Sequence, residues 1–283
     1  MNVTKFLDAA GKVRVGRVEN GHLLPLRLGD FPNLSALLAL EDPMATIGSL
    51  TSDEPILIDE TVKWLPPIDD QEVWAAGVTY KRSQTARMEE SEAAASCYDQ
   101  VYEADRPELF FKATPHRVGG HLQPLRIRAD ATWNVPEPEV TLVLNPSLKI
   151  IGLTIGNDMS SRDIEGENPL YLPQAKCYDQ CAGLGPWITL YESLPAADQI
   201  GIDLKIDRGG EIVFDQQTSV AEMARAFDDL VGWLGRDNTF PNGAFLMTGT
   251  GIVPTSDFTL RAGDVVHISV QGIGTLSNPI VQG

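Results

Sequence analysis

Short apolar segments separated by turn-forming residues dominate the chain and predict a fold made mostly of β-strands. The clearest segments are residues 73–80, 140–144, 149–156 and 263–270, which are rich in Val, Ile and Leu. Runs of this length, without a helical period, are typical of strands buried on both faces. We therefore predict an α+β fold in which β-structure prevails.

Two segments have helical patterns instead. Residues 81–104 contain no Gly or Pro and are rich in Ala, Glu, Gln, Met and Arg, which are good helix formers. Residues 219–236 alternate apolar and polar positions with a helical period, which predicts an amphipathic helix. Its apolar face consists of Met223, Phe227, Leu230, Val231 and Leu234.

The pattern divides the chain into two parts. Residues 1–65 predict a small unit of short strands, with Asn20-Gly21 at a hairpin turn. Residues 66–72 begin with two prolines and predict a stiff linker. Residues 73–283 form the predicted main domain, which includes a hairpin over residues 201–214.

The charge balance excludes some classes of partner. The 283 residues include 39 acidic and 22 basic ones, which gives a net charge of -17. Nucleic acid and anionic membranes require a basic face, so neither is expected as a partner. A small anionic substrate is compatible with this charge where local cations or a metal ion reverse the field.

Cysteine content and hydropathy indicate the compartment. The three cysteines are too few for a disulfide framework and suit a reducing environment. No apolar run reaches the roughly 18 residues of a membrane span, and no segment has the pattern of a signal peptide. We expect a cytoplasmic protein.

Two carboxylates at the start of an apolar segment are the first candidate site. Glu137 and Glu139 are two residues apart, so in a strand they lie on the same side. Asp158 follows the next apolar segment and offers a third carboxylate. Such oxygen ligands suit Mg²⁺, Mn²⁺ or Ca²⁺. The alternative from this spacing alone is a solvated pair, which many strands have.

Residues 152–187 form the second candidate region. Charged residues alternate here with turn formers and apolar residues, a pattern that favours a loop over a polar pocket. Arg162, Glu165 and Lys176 are its candidate functional residues. Cys177 and Cys181 have no further Cys or His nearby to complete a zinc site, and we interpret them as apolar filler.

The acidic segments belong to a larger set of motifs that resembles the fumarylacetoacetate hydrolase superfamily over residues 73–283. These motifs are Glu137-x-Glu139, Asn157-Asp158-x-Ser160-x-Arg162-Asp163, Gln174-x-Lys176, Gly183-Leu-Gly-Pro-Trp187, Gly249-Thr250-Gly251 and Gly263-Asp-Val-Val266. Within the superfamily, residues 107–112, 136–139 and 167–174 are most similar to the sugar-acid dehydratases, which are lyases.

The resemblance implies a fold, a cofactor and a reaction. The fold is a mixed, mostly β roll preceded by a small N-terminal α/β domain. The cofactor is Mg²⁺, held by Glu137, Glu139 and Asp158. The reaction is dehydration of a 2-keto-3-deoxypentonate to 2-oxoglutarate semialdehyde, through an enolate that the metal stabilises. Family analogy implies a homodimer or homotetramer.

Arg162, Glu165 and Lys176 match positions that line the family's pocket, and the expected reaction suggests roles for individual residues. Lys176 is the expected base for the C3 proton, since a lysine acts as a base when its surroundings lower its pKa. Glu108 and Glu165 are expected to assist the departing C4 hydroxyl. Arg162, Lys112 and Thr250 are expected to bind the substrate.

Two other functions remain open at this point. One is a hydrolase or decarboxylase of diketo or 2-oxo acids. Hydrolytic members carry a His shortly after the first strand of the main domain, whereas no His lies between residues 81 and 115 here. The other is a binding protein without activity, which the full set of charged residues argues against.

Overall fold

The computed structural model of the protein describes residues 1–80 and 100–283. The helix predicted for residues 81–104 falls almost entirely outside the described residues. Strands in the described part are β1 (Asn2–Leu7), β2 (Val13–Glu19), β3 (His22–Pro25), β4 (Ile56–Leu57), β5 (Lys63–Leu65), β6 (Glu72–Gly77), β7 (Glu108–Ala113), β8 (Val118–Gly119), β9 (Leu125–Ile127), β10 (Asn134–Val135), β11 (Pro138–Leu144), β12 (Ile150–Asp158), β13 (Ser160–Ser161), β14 (Ala182–Leu190), β15 (Gly201–Arg208), β16 (Glu211–Ser219), β17 (Ala244–Met247), β18 (Val265–Val270) and β19 (Gly274–Gln282).

Helices are short and few in the same residues. The α-helices that lie wholly within the described residues are α1 (Leu34–Leu38), α2 (Pro43–Ser49), α3 (Arg162–Glu167), α4 (Leu172–Lys176) and α5 (Phe227–Leu234), and residues 100–103 are helical as well. Single 3₁₀ turns occur at Pro115–Arg117, Pro169–Tyr171, Tyr191–Ser193, Ala197–Gln199 and Val220–Glu222. The predicted α+β, mostly β architecture is confirmed. None of these helices has the length and apolar character that a membrane span requires.

The larger sheet is mixed and runs in the order β4-β3-β2-β1-β14-β12-β11-β17-β6-β7. Neighbours along this path are antiparallel except β17 and β6, which are parallel. β1 pairs with β14 through Asn2 and Thr189, so the N-terminal strands extend the sheet of the main domain. The division at residues 66–72 stays a prediction.

The smaller sheet has the order β16-β15-β18-β19-β9. The predicted hairpin forms its edge, with β15 and β16 paired from Gly201–Ser219 to Arg208–Glu211. Gly209 and Gly210 make the turn with φ angles of 66° and 90°, which glycine adopts without the steric cost of a Cβ.

The core lies around the middle strands of the larger sheet. Every residue of β11 is buried, as are all of β12 but its first, which confirms the predicted buried strands. A smaller cluster of Phe6, Leu23, Val62 and Trp64 packs against Trp187 of β14. The N-terminal strands are thus joined to the main domain by both backbone pairing and aromatic packing.

The helix predicted over residues 219–236 is shorter than expected. α5 covers only its second half, and Ser219 is the last residue of β16. The amide of Ala224 donates to the carbonyl of Thr79 at 2.8 Å, and Met223 forms an isolated bridge with Tyr80. These long-range backbone contacts replace the local helical hydrogen bonds. The apolar periodicity therefore predicts a longer helix than the one that forms.

His121 predicts a pH dependence of stability. Its ring lies 5.9 Å from that of Trp64, and its Nδ1 accepts a hydrogen bond from the Ser277 amide at 3.1 Å. Burial, with a smaller contribution from His267, lowers the pKa of His121 to about 4. The pKa of this histidine in the unfolded chain is about 6.5. The stability that the buried neutral ring contributes to the fold is therefore fully present above pH 6.5 and is lost as pH falls toward 4.

In His121→Asn the amide oxygen can replace Nδ1 as an acceptor. We expect the Tm of this variant to fall less than that of the wild type when the pH is lowered from 7 to 5. His22→Asn, at an exposed hairpin position, is the control and should keep the wild-type pH dependence. Equal slopes for wild type and His121→Asn would contradict the assignment. The measurement is a thermal-unfolding series across this pH range.

Candidate metal centre

The pairing of β11 and β12 brings the acidic segments together. The two strands are antiparallel, with Glu139 opposite Gly156 and Pro138 opposite Asn157. The start of β11 therefore lies beside the end of β12, where Asp158 stands. The amide of Asp158 donates to the carbonyl of Glu137 at 3.0 Å and fixes this contact.

Glu137, Glu139 and Asp158 form a buried cluster. Each offers a carboxylate oxygen within 4.8 Å of those of the other two. Glu139 is 1% exposed, so the pair predicted from its spacing does not lie in solvent. Buried carboxylates this close repel one another and require cations nearby.

Two cations contact Glu137 directly. The Lys176 ammonium lies 2.7 Å from Glu137 Oε2 and 3.1 Å from Asp158 Oδ2, and it also donates to Ser160 Oγ at 2.5 Å. Arg162 Nη2 lies 3.0 Å from Glu137 Oε1. Lys176 ends α4 and Arg162 begins α3, so the loop region predicted to cover a pocket supplies both cations.

The electrostatics of Glu139 indicate room for a further positive charge. Burial raises its pKa well above the usual value, and repulsion from Asp158 and Glu137 adds to that shift. Lys176 and the Gly249 amide, which donates to Glu139 Oε2 at 2.6 Å, act in the opposite direction. A divalent cation would relieve the repulsion, and three carboxylates are the ligand type that Mg²⁺ and Mn²⁺ prefer. The residues present therefore fit a metal ion.

Glu108 and Glu165 approach from two other elements. Glu108 begins β7, and a Cβ added to Gly77 would lie 1.8 Å from its Oε2 atom. Any larger residue at position 77 would therefore force the Glu108 carboxylate to move. Glu165 is buried on α3, three residues after Arg162 and hence on the same helical face.

The cavity at the cluster is small. Its volume is about 10 Å³, which is near the room needed for one water molecule. The lining residues are Ala76, Gly77, Val78, Phe110, Glu137, Glu139, Asp158, Arg162, Lys176, Gly249 and Thr250.

Several of these lining residues were not found from the sequence. Phe110 places its ring 5.8 Å from the Lys176 ammonium. Val78 has a φ of 54°, which is an outlier for a β-branched residue. Gly77 and Val78 stand within an apolar run that predicts a buried strand, and no local signal distinguishes them from core residues.

Thr250 and Lys112, both expected to bind the substrate, differ in their position relative to the cavity. Thr250 lines the cavity in the turn after β17, and its hydroxyl donates to the Ile252 carbonyl at 3.1 Å. Lys112 lies behind Asp158 and does not line the cavity among the described residues. Burial alone would lower the pKa of Lys112, but the adjacent Asp158 carboxylate outweighs burial and raises it.

Comparison with known proteins assigns the family. A family model for the fumarylacetoacetate (FAA) hydrolase C-terminal region matches residues 72–281. The chain belongs to this family. Its relatives include a probable 2-keto-3-deoxyxylonate dehydratase of Haloferax volcanii, 47% identical over 233 residues, which are 82% of this chain and 80% of that protein.

Two further relatives are also dehydratases. The 2-dehydro-3-deoxy-D-arabinonate dehydratase of Saccharolobus solfataricus is 42% identical over 217 residues, or 76% of this chain and 73% of that one. A solved 2-keto-3-deoxy-D-arabinonate dehydratase, in complex with magnesium and 2,5-dioxopentanoate, is 33% identical with a TM-score of 0.86. That comparison covers 100% of this chain and 99% of the other.

The close approach of Gly77 and Glu108 predicts the effect of Gly77→Ala. The added methyl would displace the Glu108 carboxylate, which lowers kcat on the order of 100-fold and costs about 1–3 kcal/mol of unfolding free energy through overpacking. Gly232→Ala is the control, because nothing lies within 4 Å of the added Cβ. Wild-type kcat in Gly77→Ala would contradict a functional position for Glu108.

Proposed function

We propose that the protein is a Mg²⁺-dependent dehydratase of a 2-keto-3-deoxy sugar acid, giving 2-oxoglutarate semialdehyde from a 2-keto-3-deoxypentonate. The observation that carries this proposal is the buried carboxylate cluster with a lysine ammonium in direct contact. It is supported by 42–47% identity to two proteins named as dehydratases of such acids. The solved relative with magnesium and 2,5-dioxopentanoate supports both the cofactor and the product.

Glu137, Glu139 and Asp158 would hold the metal ion in this proposal. When bound, Mg²⁺ supplies Lewis-acid polarisation of the 2-keto group, which acidifies the proton on C3. Mn²⁺ and Ca²⁺ suit the same oxygen ligands. The neighbouring cations Lys176 and Arg162 reduce the negative potential that a substrate carboxylate would otherwise meet.

Lys176, which lines the cavity beside the carboxylate cluster, would accept the C3 proton as the neutral amine, the form that a bound divalent cation would favour over the ammonium. Loss of that proton and cleavage of the C4–O bond form the C3–C4 double bond. Glu108 or Glu165, in the protonated form, would give the departing hydroxyl its proton, so that water leaves. The resulting unsaturated 2-keto acid keeps its C5 hydroxyl. Transfer of a proton from C5 to C3 converts it to a C4–C5 enol, which tautomerises to the C5 aldehyde of the product. Arg162 and Thr250 would bind and orient the substrate.

Assembly and location are further parts of the proposal. Family analogy supports a homodimer or homotetramer. Ile212 and Val213 are exposed apolar residues on β16, the edge strand of the smaller sheet, and such an edge suits a protein contact. The low cysteine content supports a cytoplasmic location. Light scattering after gel filtration would measure the number of subunits.

The reaction is tested directly with purified protein. With Mg²⁺ and a 2-keto-3-deoxypentonate we expect semialdehyde to form, chelation by EDTA to stop the reaction, and added Mg²⁺ to restore it. Coupling to an aldehyde-specific reagent measures the rate. Cleavage of an acylpyruvate, with no turnover of the sugar acid, would instead establish the hydrolase alternative.

Lys176→Met separates catalysis from metal binding. We expect turnover to be lost because the base is gone. The affinity for Mn²⁺ should stay equal or increase, because a positive charge that contacts two of the carboxylates has been removed. Calorimetric titration of the metal-free protein measures this, with Lys149→Met as a control at an exposed lysine. Weaker Mn²⁺ binding in Lys176→Met would contradict the role assigned to it.

A further inference from the structure

We propose that Lys112 is a positioning residue that holds Asp158 and the end of α4 in place, and that it does not contact the substrate. This departs from the role expected from the sequence. The inference rests on the proposed function for the roles of Asp158 and Lys176. The geometry behind it is independent of which substrate is used.

The Lys112 ammonium is saturated by protein acceptors. Its Nζ atom lies 2.5 Å from Asp158 Oδ1, 2.9 Å from the Met159 carbonyl and 2.5 Å from the Lys176 carbonyl. An ammonium has three N–H donors, and here it meets three acceptors, two carbonyls through hydrogen bonds and the Asp158 carboxylate through an ion pair. The side chain is 0% exposed. No donor is left for a substrate carboxylate.

The three acceptors belong to two parts of the chain, and Lys112 itself lies in a third. Lys112 is on β7. Asp158 is the last residue of β12 and Met159 follows it, whereas Lys176 is the last residue of α4. Carbonyls in the last turn of a helix have no partner within the helix, and Lys112 supplies one for the residue whose side chain is the proposed base. One ammonium thus fixes a proposed metal ligand and the base relative to each other.

Asp158 is held at both of its oxygens. Lys112 contacts Oδ1 and Lys176 contacts Oδ2. The two contacts together set the rotation of the carboxylate. Partners that orient a metal ligand in this way typically change metal affinity or activity 10- to 100-fold when they are removed.

The decisive variant is Lys112→Met, which keeps the length and apolar stem but removes all three donors. We expect Mn²⁺ affinity of the metal-free protein to fall about 10- to 100-fold, and kcat at saturating Mn²⁺ to fall with little change in KM. Loss of a positive charge alone would strengthen Mn²⁺ binding, so the sign of the change distinguishes positioning from charge. Amide hydrogen exchange should accelerate in residues 157–160 and 172–177.

Lys5→Met is the matched control. Lys5 is also a largely buried lysine, and it bonds the Ile68 carbonyl at 2.6 Å and Asp69 at 2.5 Å in the N-terminal part of the chain. We expect a lower Tm with wild-type Mn²⁺ affinity and kcat. A raised KM in Lys112→Met, with Mn²⁺ affinity unchanged or increased, would overturn the proposal and restore a substrate contact.

The two proposals fail in different ways. A wild-type protein that does not dehydrate the sugar acid overturns the proposed function, while Mn²⁺ affinity and hydrogen exchange still decide the role of Lys112. If Lys112→Met does not fold, the same measurements are made on Lys112→Gln. A crystal structure of the wild type with Mg²⁺ and pyruvate then gives a separate test. Nζ on the same three acceptors supports the proposal, and Nζ turned to the pyruvate carboxylate overturns it.

Discussion

Three carboxylates are held in the interior with ligand oxygens within 4.8 Å of one another, and the surrounding structure serves to make this arrangement stable. Burial and mutual repulsion both oppose ionisation of Glu139. Two buried cations, Lys176 and Lys112, compensate this negative charge. Each is paired with a carboxylate at hydrogen-bonding distance. Breaking one such pair leaves an uncompensated buried charge, which is strongly destabilising. The cluster and its cations therefore form one unit.

The scaffold that positions this unit is rigid. The carboxylates stand at or next to adjacent ends of β11 and β12, which are almost wholly buried and paired from Pro138–Asn157 to Leu144–Ile150. The cations arrive on shorter elements: α3, α4 and the strand β7. Since β7 is at the edge of the larger sheet, Lys112 connects that edge to the centre of the site. The anions thus lie on central strands, whereas the cations lie on the elements around them.

The sequence predicts the carboxylate cluster well because its signals are local. An acidic pair at the start of one apolar strand and Asp158 at the end of the next must meet when those strands pair in antiparallel fashion. Contacts that depend on packing are not predictable in this way. The close approach of Gly77 to Glu108 is a contact of this kind, and so are the contacts of Lys112 with its acceptors. Both involve elements that are far apart in sequence. The helix predicted over residues 219–236 is too long for the same reason, since a backbone bond from Ala224 to Thr79 competes with the local pattern.

The central claim is that Glu137, Glu139 and Asp158 bind one divalent ion together. Anomalous diffraction from crystals grown with Mn²⁺ tests this most directly. The account predicts a single strong peak within roughly 2–2.6 Å of an oxygen from each of the three carboxylates. A peak at another site, or no peak here in crystals of protein that Mn²⁺ activates, would contradict it.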